Sequence, residues 1–547
     1  MTTNAHDDDW PGPDPQAAHD TGTRKKKKKI AVPLDIYPEE EDDNRIAIRL
    51  PNRLSRVIDE TIAALATLDL FQRGGTLADI VRDPKVGDDR VVLPAGLPKI
   101  RLIPFPRIRE IVSDCIRFER KKSNGKGETN WRESAIPNDI VPTVTARGEW
   151  SGIRPLEGLV SWPLLRPDGT ISLGPGYDLA TQTFATVQSE LDLPPCITPE
   201  VIRKAHADID DLIGEFPFET PAHKAAWVSG LLTVIARQAI LGPIPLLIID
   251  ASSPGSGKTA LADTLGSILM GATLPRRAVP KDDEEWRKAM LGIGIGAYPI
   301  ILLDNLKGTL RSAVLDAVLT GTEFQDRALG LNMDIKVKIP TLFVLTTNNA
   351  TLDSDLVRRS VHCRINVDDE NPESRTGFRY DLPFDASKPE IRRRLISAAC
   401  AILVGYEQAG RPMVECRHLG SYDAWCRAVQ HPLVWAGFAD PVTTQDELRE
   451  QADSDGELHG TILSCWFNMY GQGDHTLGTV LSDLTEDKSE AARELASSLG
   501  QLGHNGRLPD AKSLGYKLRK WRDKRCNALK FVAQEKGKNG VPWGVRR

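Results

Sequence analysis

The stretch IPLLIIDASSPGSGKTALADTLGSIL, Ile244 to Leu269, decides the fold. The apolar run Leu246 to Ile249 predicts a buried strand, and the small residues that follow predict a loop. Leu261, Leu265, Ile268 and Leu269 then fall at helical spacing. Strand, glycine loop, helix is the context that a phosphate-binding loop requires. Pro254, Gly255, Ser256 and Gly257 permit tight backbone geometry, so that amide N–H groups can point at phosphate oxygens. The helix N-terminus at Lys258, Thr259 and Ala260 adds favourable partial charge. Lys258 is the residue expected to reach the β- and γ-phosphates of ATP, and the Thr259 hydroxyl the one to ligate Mg²⁺. Ser252 stands where such loops usually carry their first glycine, a position that tolerates small residues.

Two further strands extend the site. YPIILLDNLKG (298–308) runs four apolar residues into Asp304, 46 positions after Lys258. Asp304 is therefore the second expected Mg²⁺ holder. The next residue is Asn305, where an acid would activate water. TLFVLTTNN (341–349) ends at Asn348 and Asn349. At the tip of a strand between the first two, such an amide can orient the attacking water and sense the γ-phosphate. Arg358 and Arg359 follow ten residues after Asn348 and could project into a neighbouring subunit's ATP. Glu323 and Asp326, in TGTEFQDR, are carboxylates that could position water in place of Asn305; the plainer alternative pairs them with Arg327.

The succession SSPGSGKTAL, IILLDN, TGTEFQDRALG, LTTNNATLDSDLVRR and GSYDAW…LVWAGFADPV resembles the P-loop ATPases of bacterial prophages and integrative elements. Those proteins are related to superfamily 3 helicases and to AAA+ proteins. LFQRGG (70–75) and LRPDGTISLGPGYDLAT (165–181) look like their N-terminal parts, so the resemblance covers most of 45–470. It implies an α/β fold, a P-loop ASCE/AAA+-like core of parallel sheet with flanking helices. It also implies a homo-oligomeric ring, hexameric, with ATP and Mg²⁺ between subunits. The activity implied is a DNA helicase or translocase in replication of a phage or mobile element, with a separate primase or replication protein as partner. Asn305 keeps a second class open: a DNA-bound assembly platform or regulator with slow or no hydrolysis. A small-molecule kinase explains neither the run from Asn348 to the arginines nor the basic C-terminus.

DNA contacts are expected in two places. MDIKVKIP (333–340) alternates apolar Ile335, Val337 and Ile339 with Lys336 and Lys338, a half-buried strand with a lysine face. In superfamily 3 helicases a hairpin just before the sensor strand reaches DNA. Residues 501–547 carry 13 Lys/Arg against 3 Asp/Glu, a formal +10. SLGYKLRKWRDKR sets Leu514, Leu518 and Trp521 on one helix face. Lys517, Arg519, Lys520, Arg522, Lys524 and Arg525 fall largely elsewhere. Two strands around Asn539-Gly540 complete a winged-helix pattern whose cations would neutralise phosphates.

The rest of the chain bounds these expectations. At 547 residues it is too long for one core. The expected parts are a charged disordered tail (1–44), an N-terminal α+β domain (45–195), a helical entry and ATPase core (196–385), a helical region (386–474) and a basic winged-helix domain (475–547). In the second of these, PRIREIVSDCIRFERKK predicts a helix with a basic end, and 165–184 predicts β-hairpins. Eight scattered cysteines form no C-x-x-C pair, which argues against a zinc ribbon or disulfide framework and fits a reducing cytoplasm. The apolar run Ala225 to Asp250 is interrupted by Arg237, Pro243 and Pro245, so it predicts buried helix and strand, not a membrane span.

Overall fold

The computed structural model describes residues 44–50, 53–81, 97–123, 128–306, 308–327, 334–349, 351–367, 371–452, 454–503, 507–526, 528–535, 537 and 540–547. The charged segment 1–43 with its lysine run lies outside the described residues, as do Met333 and Asn539.

Near the N-terminus, the spacing of Leu54, Val57, Ile58, Ile62 and Leu65 predicts an apolar helix face; helix Leu54–Leu65 buries the last four, while Leu54, at its first position, is exposed. Its core is shared with a three-stranded sheet, in which Ile46–Leu50 runs parallel to Ile116–Ser123 and Thr129–Ser134 antiparallel to it. The expected basic helix end is corrected here. Helix Phe105–Cys115 stops, and Ile116–Ser123 is a strand. The reason is alternation: Ile116 and Phe118 are buried, while Arg117 and Glu119, each the next residue along, are less so. The stretch 165–184 contains two short antiparallel pairs, Leu164–Leu165 with Ile171–Ser172 and Gly176–Asp178 with Thr183–Ala185.

The central part begins with helix α1 (Pro221–Ala236), buried from Ala225 to its end because it is apolar on every side. Among the described residues, no helix is long and apolar enough to cross a membrane. In chain order follow β1 (Leu246–Ala251), α2 (Lys258–Met270), β2 (Arg276–Ala278), α3 (Asp283–Gly296), β3 (Ile300–Leu306) and α4 (Ala313–Thr320). A hairpin of β4 (Glu323–Arg327) and β5 (Asp334–Lys338) precedes β6 (Leu342–Asn348) and β7 (Ser360–Ile365). Helices α5 (Pro389–Gln408) and α6 (Gln445–Ala452) come later.

Five strands form one sheet in the order β2-β3-β6-β1-β7, every neighbouring pair parallel. Such a sheet needs cover on both faces, and its strands are apolar on both. Leu247 and Ile249 of β1 join a core with α1 and α2, while Leu246 and Ile248 join one with Trp286 and Ile293 of α3. Parallel order sets the C-terminal ends of β1, β6 and β3 side by side on one edge, where ligands of open α/β sheets bind.

Arg73, in LFQRGG, ties the N-terminal part to this core. Its side chain is buried (6% exposed). It donates to the carbonyls of Gly294 and Ile295 at the end of α3, to that of Leu156, and to that of Lys338 in β5. The last turn of any helix leaves carbonyls unpaired, and a guanidinium with five donors suits several at once. Arg73→Met would strand these carbonyls in the interior. The expected loss is about 3 kcal/mol, read as a lower urea midpoint; an unchanged midpoint would remove Arg73 from this role.

The C-terminal part packs α7 (Leu477–Glu486), α8 (Glu490–Gly500) and α9 (Ala511–Trp521) against a small antiparallel sheet. The hairpin of β8 (Leu529–Ala533) and β9 (Pro542–Arg546) is its centre. Leu514, Leu518 and Trp521 face inward, as the helical spacing predicts. Helix Ser454–Tyr470 sends Trp466 into the same core, edge-on to Phe531 at 5.3 Å.

Candidate phosphate site

The turn from β1 to α2 holds two residues of left-handed backbone, Gly255 at φ 75° and Gly257 at φ 94°, positions that glycine takes without strain. The turn bends back on Lys258, the first residue of α2. The Lys258 ammonium donates to the Ser253 carbonyl (3.2 Å), to Ser256 Oγ (3.1 Å) and to Asn348 Oδ1 (2.6 Å). Burial lowers the Lys258 pKa, and the carboxylates of Asp250 and Asp304 act against that shift. The structure thus brings Lys258, Asn348 and Asp304 into one electrostatic neighbourhood, from segments 46 and 90 residues apart.

Asp304 and Asn305 sit on a β-bulge. Leu303 pairs with Leu345 and Leu306 with Thr347, so that both residues face Thr346 alone. The Thr346 hydroxyl donates to Asp304 Oδ1 at 2.7 Å and accepts from the Asn305 N–H at 2.9 Å. Asn305 takes φ 58°, a left-handed conformation that asparagine tolerates better than most residues. An alternating strand would send the two side chains to opposite faces; the bulge re-aims both. The other Asp304 oxygen faces Arg276 Nη1 at 3.8 Å, and Arg276 is itself held by Asp263 at 2.7 Å.

Below the loop lies a brace that motif spacing does not reveal. Asp250, fully buried in β1, accepts from Arg364 Nη1 at 3.0 Å. Arg364 Nη2 reaches Asn349 Oδ1 (3.2 Å), and Asn349 Nδ2 reaches the Ser252 carbonyl (3.4 Å). Asn349 is therefore tied to the loop's support, while Asn348 meets Lys258. Alongside the turn is a cleft of about 490 Å³, lined in part by Phe216, Gly255, Gly257, Phe378 and Tyr380. Its volume is in the range of small-molecule sites.

The donor set suits Mg²⁺, a hard cation that takes oxygen ligands. Among the described residues the Thr259 hydroxyl bonds to no protein atom, and Asp304 keeps one oxygen without a hydrogen bond.

The remaining candidates stand elsewhere. Arg359 is mostly buried and pairs with Asp316 of α4. Arg358 is 60% exposed and holds only the neighbouring Asp355, at 2.8 Å. Glu323 lies on β4, paired with Lys336 of β5 at 2.6 Å. Neither it nor Asp326 contacts Lys258 or Asp304 among the described hydrogen bonds and ion pairs. Lys338 pairs with Glu157 at 3.1 Å. In the C-terminal part Arg519, Arg522, Lys524 and Arg525 are exposed, Lys517 turns inward to the Leu502 carbonyl, and the Lys520 side chain is not among those described. A groove of about 890 Å³ runs between α9 and the β8–β9 hairpin, lined by Lys512, Tyr516, Arg519, Arg522 and Trp543 among others.

Arg276 and Thr346 are the site residues that motif reading misses. Thr346 is visible only as one of two adjacent threonines in an otherwise apolar strand, and Arg276 only as half of an arginine pair before the β3 strand.

No protein-family model and no curated protein matches the chain. Among solved structures it is similar to the apo C-terminal region of NrS-1, at 11% identity and TM-score 0.35, over 85% of this chain and 96% of that one. It is similar also to the active helicase SCCmec type IV Cch, at 12% identity and TM-score 0.32, over 87% and 97%. A JCV helicase structure covers 48% of this chain and 71% of its own, at 13% identity and TM-score 0.19. Likeness at that level identifies neither a family nor an activity for this chain.

Proposed function

We propose that the chain binds ATP with Mg²⁺ at the β1–α2 turn, assembles with copies of itself into a ring, and couples ATP hydrolysis to movement on DNA as a helicase or translocase. The observation that carries this reading is the 2.6 Å contact between Lys258 and Asn348. A phosphate-loop cation and a polar amide on the adjacent strand meet where a γ-phosphate would lie. Lys258 bonds only to neutral oxygens, so an anionic phosphate oxygen is the better acceptor and would displace Asn348. The released amide is then free to orient water. Thr259 and Asp304 would hold Mg²⁺, which neutralises phosphate charge. Phosphoryl transfer depends chiefly on positioning and electrostatics, so this set can serve without a strong base. The base and sugar fit the cleft beside Phe216 and Tyr380.

Arg358 is exposed and makes no described contact with Lys258 or Asp304, which suits a residue that acts on the next subunit's nucleotide. The motif order in the sequence extends the proposal to replication of a phage or mobile element. One feature favours the second reading, a platform with slow or absent hydrolysis: Asn305 occupies the bulge position beside Asp304 where an acid would activate water. Turnover of ATP measured with no DNA, single-stranded DNA and duplex separates the two. Stimulation by DNA supports the motor; ATP binding without turnover in any arm supports the platform.

The basic groove between α9 and the hairpin is the proposed DNA contact. Arg519→Gln and Arg522→Gln should each lower the slope of log affinity against log salt by about 1, with similar loss on unrelated sequences. A slope equal to wild type in both variants removes this groove from the interface.

A further inference from the structure

Three side chains from distant segments converge behind β1. His223 lies in the first turns of α1, His362 in β7 and Glu447 in α6. One ligand atom from each lies within 4.8 Å of the other two. Both imidazoles are fully buried, and Glu447 is about a third exposed, at 37%.

Protons do not satisfy this cluster easily. His223 Nδ1 faces the His362 carbonyl at 2.8 Å and must carry hydrogen there. Its Nε2 then faces a carboxylate oxygen of Glu447, also at 2.8 Å, lone pair to lone pair if the ring is neutral. His362 has no hydrogen-bond partner at either ring nitrogen, although the ring is wholly buried. Asp250 Oδ1, beside it, also has none. Buried polar atoms without partners are rare and call for an occupant.

Charge points the same way. Asp250 and Glu219 share the single guanidinium of Arg364, and Glu447 adds a third carboxylate. With neutral imidazoles, Glu447 brings a negative charge to the cluster that no cation among the described ion pairs meets, and a divalent cation would meet it.

We infer that His223, His362 and Glu447 form a binding site for a divalent transition metal, Zn²⁺ by its ligand chemistry, separate from the phosphate site. Two imidazoles and one carboxylate are a recognised zinc donor set. His223 is oriented as ligating histidines are: one nitrogen on a protein oxygen, the other free for metal. For His223 that oxygen is the His362 carbonyl, which leaves Nε2. His362 Nε2 lies 3.5 Å from Asp250 Oδ2 without a hydrogen bond, so the ring still lacks a partner that an ion would supply. Bonds of about 2.0–2.2 Å require the three ligand atoms to draw together around the ion, and Glu447 is the ligand with solvent beside it. The ion would fasten α1, β7 and α6 together. It would also sit one residue pair away from Arg364, whose contact with Asn349 supports the phosphate loop.

The test uses the full chain, purified without chelator and dialysed against Zn²⁺, with metal content measured by mass spectrometry. Co²⁺ in place of Zn²⁺ gives a visible absorption band. The expected result is about one equivalent of zinc, with at least ~10-fold weaker binding in Glu447→Gln and in His362→Gln. Asp304→Ala should keep the metal, which separates this site from a nucleotide-bound Mg²⁺. Glu447→Gln is the mild variant should His362→Gln fail to fold. Wild-type protein that holds no more zinc than Glu447→Gln and shows no cobalt band overturns the inference. So does full zinc binding by both variants, which would leave the cluster as an imidazolium–carboxylate pair.

Discussion

Lys258→Ala should reduce ATP turnover by at least ~100-fold while leaving the fold as stable as before. The two halves of this expectation have one cause. On the proposed reading the ammonium is the charge that meets the γ-phosphate, and it is already partly withdrawn from water. Burial disfavours its charged form in the folded protein, so its removal takes away an unfavourable contribution along with three hydrogen bonds. The urea midpoint should therefore stay within the small range of a surface change. Residual turnover equal to wild type would show that the phosphates sit elsewhere. A collapse of stability would show that Lys258 serves the fold first.

The arginine pair should divide cleanly. Arg358→Ala should lower turnover of the assembled protein by about 10³-fold or more, with an unchanged urea midpoint, because its one partner is an exposed neighbour. Arg359→Ala should instead lose about 2–3 kcal/mol of stability, since it leaves Asp316 half-buried and unpaired. Asp316 already has a raised pKa, first from burial, and Arg359 is the group that opposes the shift. Mixing settles whether Arg358 acts across subunits. Arg358→Ala and Lys258→Ala subunits, each inactive alone, should regain turnover together, because some interfaces then pair an intact loop with an intact arginine. Intact rings that stay inactive at every ratio would count against that role.

Much of the fold was legible because its signals are local. A strand, a glycine turn and a helix sit within the single stretch Ile244 to Leu269, and Leu514, Leu518 and Trp521 mark their helix face by spacing alone. The parallel sheet that holds the strands ending at Asn348 and Asp304 was implied by the family resemblance that those runs carry. What stayed hidden depends on partners far along the chain. The bulge at Asn305 needs Thr346 on the next strand. The pairing of Glu323 with Lys336 needs the hairpin register, and that of Arg359 with Asp316 needs α4 brought beside the residue before β7. Residues 116–123 defeated the helical expectation because their charges alternate with a core face that only pairing to Ile46–Leu50 creates.

The buried Arg73 has a mechanical consequence. Helix α3 has 14 residues, a stiff rod of about 21 Å. One end follows shortly after Arg276, which faces Asp304; the other ends in carbonyls that Arg73 grips together with the base of the β4–β5 hairpin. A hairpin anchored this way cannot swing alone. The hairpin, the end of the rod and the N-terminal part that owns Arg73 are thus fastened at one point, so a load on the hairpin's lysines would bear on all three together.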